Sequence, residues 1–190
     1  LSSSKEVIEY IEKLQQIIRY IGVGSANMEE GSFRCDANIS IREKGSDLLG
    51  TKVEIKNMNR ISAVANAVDY EIKRQIKCTE TKERIIQETR GWSEEKSITI
   101  PQRTKEESND YRYFPEPDIP PLRINNKWVE EIKNKIPTLP EKRKDKYLND
   151  YGLSSYDANL LASEINFSDF FEKIILKLPK IYKDNETIKY

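Results

Sequence analysis

The chain has 190 residues, enough for one large domain or a domain and part of a second. Hydrophobic residues make up 37% of it and charged residues 34%, which leaves a lean core, and 32 basic residues balance 32 acidic ones, so bulk charge does not mark a basic nucleic-acid binder. Histidine is absent, which removes Ser-His-Asp and Cys-His catalysis and histidine metal ligation from this segment, and Cys35 and Cys78 are too few for a disulfide framework or a cysteine metal site.

Residues 4–21 have the pattern of an amphipathic helix. Ser3 and Glu6 stand at capping-box spacing, Val7, Ile11, Leu14, Ile18 and Ile21 form the apolar stripe with Ile8 and Ile17 beside it, and Gly22 is placed to end the helix. The loop Gly22-Val23-Gly24-Ser25 is too short for a phosphate loop, and no Gly-Lys-Ser/Thr follows it. From Phe33 the chain alternates. Arg34, Asp36, Asn38, Ser40 and Arg42 share one face, and Phe33, Cys35, Ala37, Ile39 and Ile41 the other, the period of a half-buried strand. Cys35 falls on the core side, a position for packing and not for reaction. After a turn at Gly45-Ser46 and Gly50, residues 51–57 alternate again, with Val53 and Ile55 opposed to Lys52, Glu54 and Lys56. An antiparallel hairpin of these two strands sets the polar faces side by side. The row can hold a phosphate, a metal ion or a polar substrate, or it can be a wet face of cross-strand pairs.

A second helix is expected over 61–77, with Ile61, Val64, Val68, Ile72 and Ile76 inward. Residues 84–92 read as a strand that puts Ile86, Glu88 and Arg90 on one face, and 97–103 as its hairpin partner, ended by Pro101. Pro115, Pro117, Pro120 and Pro121 make 110–122 a stiff extended segment, a strap or a binding loop. Beyond it, 128–135, 141–151, 155–165 and 168–178 read as short helices. Ser154 and Ser168 are their N-caps, and Leu153, Leu160, Leu161, Phe170, Phe171, Ile174, Ile175 and Leu178 their core. Lys142, Arg143, Lys144 and Lys146 are read as a solvated helix face. The domain boundary is placed at 125/126. No apolar run is long enough to span a bilayer, and a chain that begins at Leu1 on a helix N-terminus reads as a piece of a longer protein.

The strings M-E-E-G-S-F-R-C-D-A-N-I-S-I-R, G-T-K-V-E-I-K-N-M-N, D-Y-E-I-K-R-Q, Q-E-T-R-G-W and D-Y-R-Y-F-P-E-P-D-I-P-P-L occur in that order. Together with I-P-T-L-P-E-K-R, Y-G-L-S-S-Y-D-A and S-D-F-F-E they resemble the B subunits (GatB) of the glutamyl-tRNA(Gln)/aspartyl-tRNA(Asn) amidotransferases, and the resemblance runs over essentially the whole chain. It implies an α+β fold: 1–125 as the C-terminal portion of an antiparallel-sheet, kinase-like cradle domain, and 126–190 as the start of a helical domain. It implies an ATP- and Mg2+-dependent ligase that activates the side-chain carboxylate of glutamate or aspartate mischarged on tRNA(Gln) or tRNA(Asn) as an acyl phosphate. Ammonia released by the A subunit, an amidase, then displaces the phosphate, and a small C subunit ties the other two together. No membrane is involved; the compartment is the cytosol in a bacterium or an organelle matrix in a eukaryote.

Such a reaction brings two anions together and needs carboxylates for Mg2+ and cations for phosphate. On the matching positions this implies catalytic roles for Asp36, Glu54 and Lys56. It implies substrate or ATP contacts from Arg34, Asn38, Ser40, Arg42, Lys52, Glu88, Arg90 and Arg112, and metal ligation by Glu29, Glu30, Asp36 and Glu54. The family's Glu-x-His section and its terminal tRNA-gripping domain do not occur in these 190 residues, so the segment is expected to be inactive alone. Two other readings stand beside this one: a non-catalytic tRNA-binding scaffold, and an unrelated metal-dependent phosphotransferase using the same face.

Overall fold

The computed structural model describes residues 1–104 and 117–181. They form an α+β arrangement of six helices and a four-stranded sheet, among the described residues. The chain divides into two compact units, one of Leu1–Lys13 and Ala26–Pro115, the other of Leu14–Ser25 and Glu116–Tyr190. No helix among the described residues is long and apolar enough to cross a membrane.

In the first unit, helix α1 (Ser4–Tyr20) begins where Ser3 Oγ accepts from the Glu6 amide at 3.2 Å, while the Glu6 carboxylate accepts from the Ser2 amide at 2.8 Å. The sheet runs β1 (Ala37–Ile39), β2 (Val53–Lys56), β3 (Glu88–Ser93), β4 (Ile98–Thr104) in that order. Strands β1 and β2 pair antiparallel with Asn38 opposite Glu54, as the hairpin reading requires, but the ladder is far shorter than 33–42. The alternation survives outside it: Ile39 is buried, and Phe33, Cys35 and Ala37 pack against the same core.

The all-antiparallel expectation is corrected at the next pair. Strand β3 lies parallel to β2, with Glu54 beside Thr89, Ile55 beside Arg90 and Lys56 beside Gly91. The 20-residue helix α2 (Ile61–Glu80) makes the crossover that a parallel pair needs. Nor does Pro101 end β4. The strand continues to Thr104 across a register shift in which Arg103 faces Thr89 and Pro101 faces Arg90, leaving Gln102 as the extra residue. A proline is tolerated there because β4 is the edge of the sheet and the ladder is irregular at that point.

Helix α2 covers the face that carries Ile55 and Trp92, and Ala63, Val64, Ala67 and Val68 close the core with Ile11, Met28 and Met58. The stripe then departs from the apolar pattern. Ile76 is 44% exposed, while Glu71 and Gln75 are fully buried. Glu71 accepts from Arg74 Nη2 at 2.6 Å and Nε at 2.9 Å, from Gln75 Nε2 at 2.9 Å and from Thr99 Oγ1 at 3.0 Å. Arg90 donates to Thr99 Oγ1 and to its carbonyl oxygen, each at 2.8 Å, and to Glu88 Oε1 at 2.5 Å. Its Nε lies 3.8 Å from Glu71 Oε2. Two carboxylates therefore meet two guanidinium groups between α2, β3 and β4. Gln75 Nε2 carries the lattice to β1 by donating to the Ile39 carbonyl at 3.2 Å.

In the second unit, Gly22, with φ +71, ends the C-terminal part of α1 as expected, and the Val23 amide reaches back to the Ile18 carbonyl. The inward residue at that end is Tyr20; Ile21, expected there, is 39% exposed. Helices α3 (Asn126–Lys133), α4 (Pro140–Asn149), α5 (Ser155–Ala162) and α6 (Ile165–Ile181) follow. Ser154 caps α5 by accepting from the Asp157 amide at 3.1 Å. Ser168 is not a cap. It lies fully buried within α6, bonded to the Tyr20 hydroxyl at 2.8 Å and donating to the Leu161 carbonyl at 2.8 Å.

The core of this unit gathers on Tyr147, Ala158 and Ala162 with Tyr151, Leu153, Leu161 and Phe171, whereas Leu160, Phe170 and Ile174, expected inside, are exposed. The difference is one of helix phase: α6 begins three residues before the expected start, and α5 turns its alanines inward. Arg143 leaves the solvated face assigned to it. It is buried, donates to Asp169 at 2.6 Å and to the Thr138 carbonyl at 3.2 Å, and lies 5.7 Å from the Tyr20 ring centroid.

Replacing Glu71 by Ala removes the acceptor from a buried cluster, strips Arg74 of its closest counter-charge and leaves Arg90 with Glu88 alone. The expected loss is about 3–5 kcal/mol, read from the urea midpoint, against a change within about 0.5 kcal/mol for Ile76→Gln on the exposed side. Equal effects of the two substitutions would show that the cluster does not carry the fold. Burial pushes the Tyr20 and Tyr147 phenols above their ordinary value near 10. The folded chain then holds these protons to higher pH than the unfolded chain, so the stability they give is complete below about pH 10 and is lost as pH rises through the folded values. The Tm should fall above pH 10, with a shallower slope in the Tyr20→Phe/Tyr147→Phe double variant; an unchanged slope refutes the assignment.

Candidate functional site

Side-chain parity divides the sheet into two chemically different faces. Arg90 and Trp92 point to α2. Thr89 and Gly91 therefore belong to the opposite, outer face, as do Asn38, Glu54 and Lys56. The backbone register aligns Asn38, Glu54 and Thr89 in a row across three strands, and Lys56 with Gly91 in the next. Thr89 Oγ1 donates to Glu54 Oε2 at 3.0 Å, and Lys56 Nζ lies 3.6 Å from Glu54 Oε1. Glu54 is thus held between a hydroxyl and an ammonium, with its side chain only 16% exposed.

Before the ladder begins, Asp36 is gripped by Arg34 through Nη2 to Oδ2 at 2.9 Å and Nε to Oδ1 at 3.3 Å. The pair is local to one strand edge and Arg34 is largely solvated, so it orients Asp36 more than it stabilises the fold. On the core side, burial pushes the Cys35 thiol up, and the charge of Asp36 adds to the effect, which keeps the sulfur unreactive at neutral pH.

The remaining candidates lie elsewhere. Ser40, Arg42 and Lys52 are outside the paired segments, with Arg42 and Lys52 exposed. Glu29 and Glu30 stand exposed on a compact loop that Asn27 and Ser32 close through the Asn27 amide to Ser32 Oγ at 2.7 Å and the Ser32 amide to the Asn27 carbonyl at 3.0 Å. Glu88 and Arg90 do share one face, but it is the α2 face, so the structure does not bring them to Glu54 and Lys56. Arg112 lies outside the described residues, as do Tyr111, Tyr113 and Phe114. Near the β3–β4 turn, Arg60 pairs with Glu94 and holds its carboxyl below the usual range, helped by the Trp92 indole N–H at 2.9 Å.

Thr89 is the site residue that sequence reasoning missed. The alternation of Q-E-T-R-G-W puts it opposite Glu88 and Arg90, but only the parallel pairing with β2 sets it beside Glu54. Glu71 and Gln75 also carried a signal, since they continue the i, i+3/i+4 line from Val64 and Val68.

Among the described residues, no group of three or more Asp, Glu or Cys side chains converges as a metal cage. The donors of the outer face fit a different arrangement. Mg2+ ordinarily uses one or two carboxylates and fills its other positions with phosphates and water, and Asp36 and Glu54 supply carboxylates with Lys56 and Arg34 beside them.

Comparison with known proteins adds a second line. The family model described as the GatB/GatE catalytic domain matches residues 1–130. The B subunit of aspartyl/glutamyl-tRNA(Asn/Gln) amidotransferase from Dehalococcoides mccartyi (strain CBDB1) is 53% identical over 175 residues, covering 92% of this chain and 36% of that protein. The protein of the same name from Caldicellulosiruptor saccharolyticus is 48% identical over 175 residues, with the same coverage. That from Synechococcus elongatus is 49% identical over 175 residues, covering 92% of this chain and 35% of the relative. The chain thus spans about a third of the length of the curated relatives it matches.

Proposed function

The chain belongs to the GatB/GatE catalytic-domain family, and on that premise we propose that it serves as part of the B subunit of a tRNA-dependent amidotransferase, in an ATP-dependent carbon–nitrogen ligation. The observation that carries the reading is the outer-face row of Asn38, Glu54 and Thr89 flanked by Lys56, held in register by the β1–β2–β3 ladder. It lies on the very strings that the family resemblance rests on.

In this reading the first unit is one wall of a kinase-like cradle. Asp36 and Glu54 would hold Mg2+ together with the phosphates of ATP, and that ion would supply charge neutralisation between two approaching anions. Lys56 and Arg34 lower the negative potential of the same face, so that the glutamyl or aspartyl carboxylate of a mischarged tRNA can approach the nucleotide. Asn38 offers an amide donor to the incoming carboxylate, and Thr89 keeps Glu54 from rotating away. None of these steps asks the protein for a covalent nucleophile. Ser40, Arg42, Lys52 and Arg112 extend this proposal as substrate or ATP contacts, and Glu29 and Glu30 as further carboxylates for the metal. Glu88 and Arg90 support it from behind the sheet. Ammonia would come from the amidase of the complex, its A subunit, with the small C subunit completing the assembly.

The test uses the full-length protein in its assembled complex. Asp36→Asn and Glu54→Gln keep shape and remove charge. Each should lower ATP-dependent amidation of glutamyl-tRNA by about 10²-fold, the scale for one preorganised electrostatic contact to a transition state, while glutamine hydrolysis by the amidase stays measurable. Amide formation at the parental rate in both variants would remove the outer face from the reaction and leave the scaffold reading in its place.

A further inference from the structure

Three local irregularities of the sheet converge on one spot of the outer face. Gly91 sits in the interior strand β3, where glycine weakens a strand and marks a close approach from above. A Cβ built there would lie 2.5 Å from Gln102 Nε2 and 3.0 Å from Asn57 Nδ2. Both carboxamides therefore occupy the space that any other residue would fill. Gln102 arrives by the register shift of β4, which adds one residue opposite the Thr89–Arg90 step and re-aims its side chain. Asn57 arrives by a left-handed backbone, φ +67, immediately after Lys56. A non-glycine residue holds that conformation at a cost, and such outliers gather at binding sites. Asn57 and Gln102 are themselves solvent-exposed over a buried glycine, and Lys56 is the in-register neighbour of that glycine.

We propose that the Asn57 and Gln102 carboxamides, converging over Gly91 beside Lys56, form a subsite that donates hydrogen bonds to an anionic oxygen of a bound ligand. Each carboxamide carries two N–H donors, and its nitrogen is the atom that a Cβ on Gly91 would meet first. Two N–H donors next to an ammonium suit a carboxylate or phosphate oxygen and repel a cation. The oxygen can come from the nucleotide or from the aminoacyl side chain. The inference rests on the ligase reading above for the identity of those ligands.

The experiment compares Asn57→Ala, Gln102→Leu and Gln102→Glu in the full-length protein within its complex. It measures the equilibrium Kd of ATP with Mg2+ and of glutamyl-tRNA, together with the KM for each and kcat. Loss of one charge-assisted hydrogen bond should weaken one ligand about tenfold in Asn57→Ala and Gln102→Leu, with a smaller change in kcat. Gln102→Glu, equal in size but anionic, should weaken it further, which a packing role would not produce. A shift in ATP binding assigns the oxygen to a phosphate; a shift in tRNA binding assigns it to the carboxylate. Values within about twofold of the parent for both ligands in all three variants overturn the subsite. A parent complex that binds both ligands without amidation sinks the ligase reading alone, and one that binds neither overturns both.

Discussion

A carboxylate with no exposed surface costs several kcal/mol to hold unless charge and hydrogen bonds surround it. Glu71 meets that condition with Arg74, Gln75 and Thr99 as donors, and with Arg90 close behind. The arrangement fixes more than one helix. Arg90 and Thr99 join β3 to β4, Arg74 and Gln75 belong to α2, and the Gln75 amide reaches the Ile39 carbonyl on β1. A hydrophobic helix face could slide along the sheet by a fraction of a turn at modest cost. A buried ion cluster cannot, because each donor displaced from Glu71 leaves an unpaired charge in a dry interior. The registry of α2 on the sheet, and with it the placement of β1, depends on this one side chain.

The consequence for chemistry follows from strand parity. If Arg90 must face α2 to meet Glu71, then Thr89 and Gly91 must face away. Thr89 then reaches Glu54, and the missing side chain of Gly91 leaves room for Asn57 and Gln102. The two faces divide the work. One spends its charges on each other and holds position. The other keeps a carboxylate, an ammonium and carboxamides oriented at the surface. Glu88 and Arg90, which the resemblance implies as substrate or ATP contacts, are drawn into the supporting face.

The second unit uses the same device on a smaller scale. Tyr20 donates to the Ala162 carbonyl, and the Ser168 hydroxyl lies within hydrogen-bond distance of both the Tyr20 hydroxyl and the Leu161 carbonyl, which holds the C-terminal part of α1 where α5 gives way to α6. Arg143 stacks near Tyr20 and pairs with Asp169, linking α4 to α6. Here too a polar core sets helix phase, and apolar side chains such as Leu160 and Phe170 stay outside.

By itself the sequence determined the element types, the alternation of 33–39 and of β2, the hairpin that sets Asn38 beside Glu54, the glycine stop after α1 and the Ser154 cap. These are local consequences of side-chain period and backbone preference, and they need no distant partner. Its motif strings also determined the family. Tertiary structure alone decided that β3 runs parallel to β2, that Glu71 and Gln75 are core, that Ser168 and Arg143 are buried, and that Arg90 and Glu54 lie on opposite sides. The reason is physical. A charged residue reads as surface until its counter-charges are placed, and those counter-charges come from strands and helices remote in sequence. Parity tells which side chains share a face of one strand; only pairing tells which strand stands beside it.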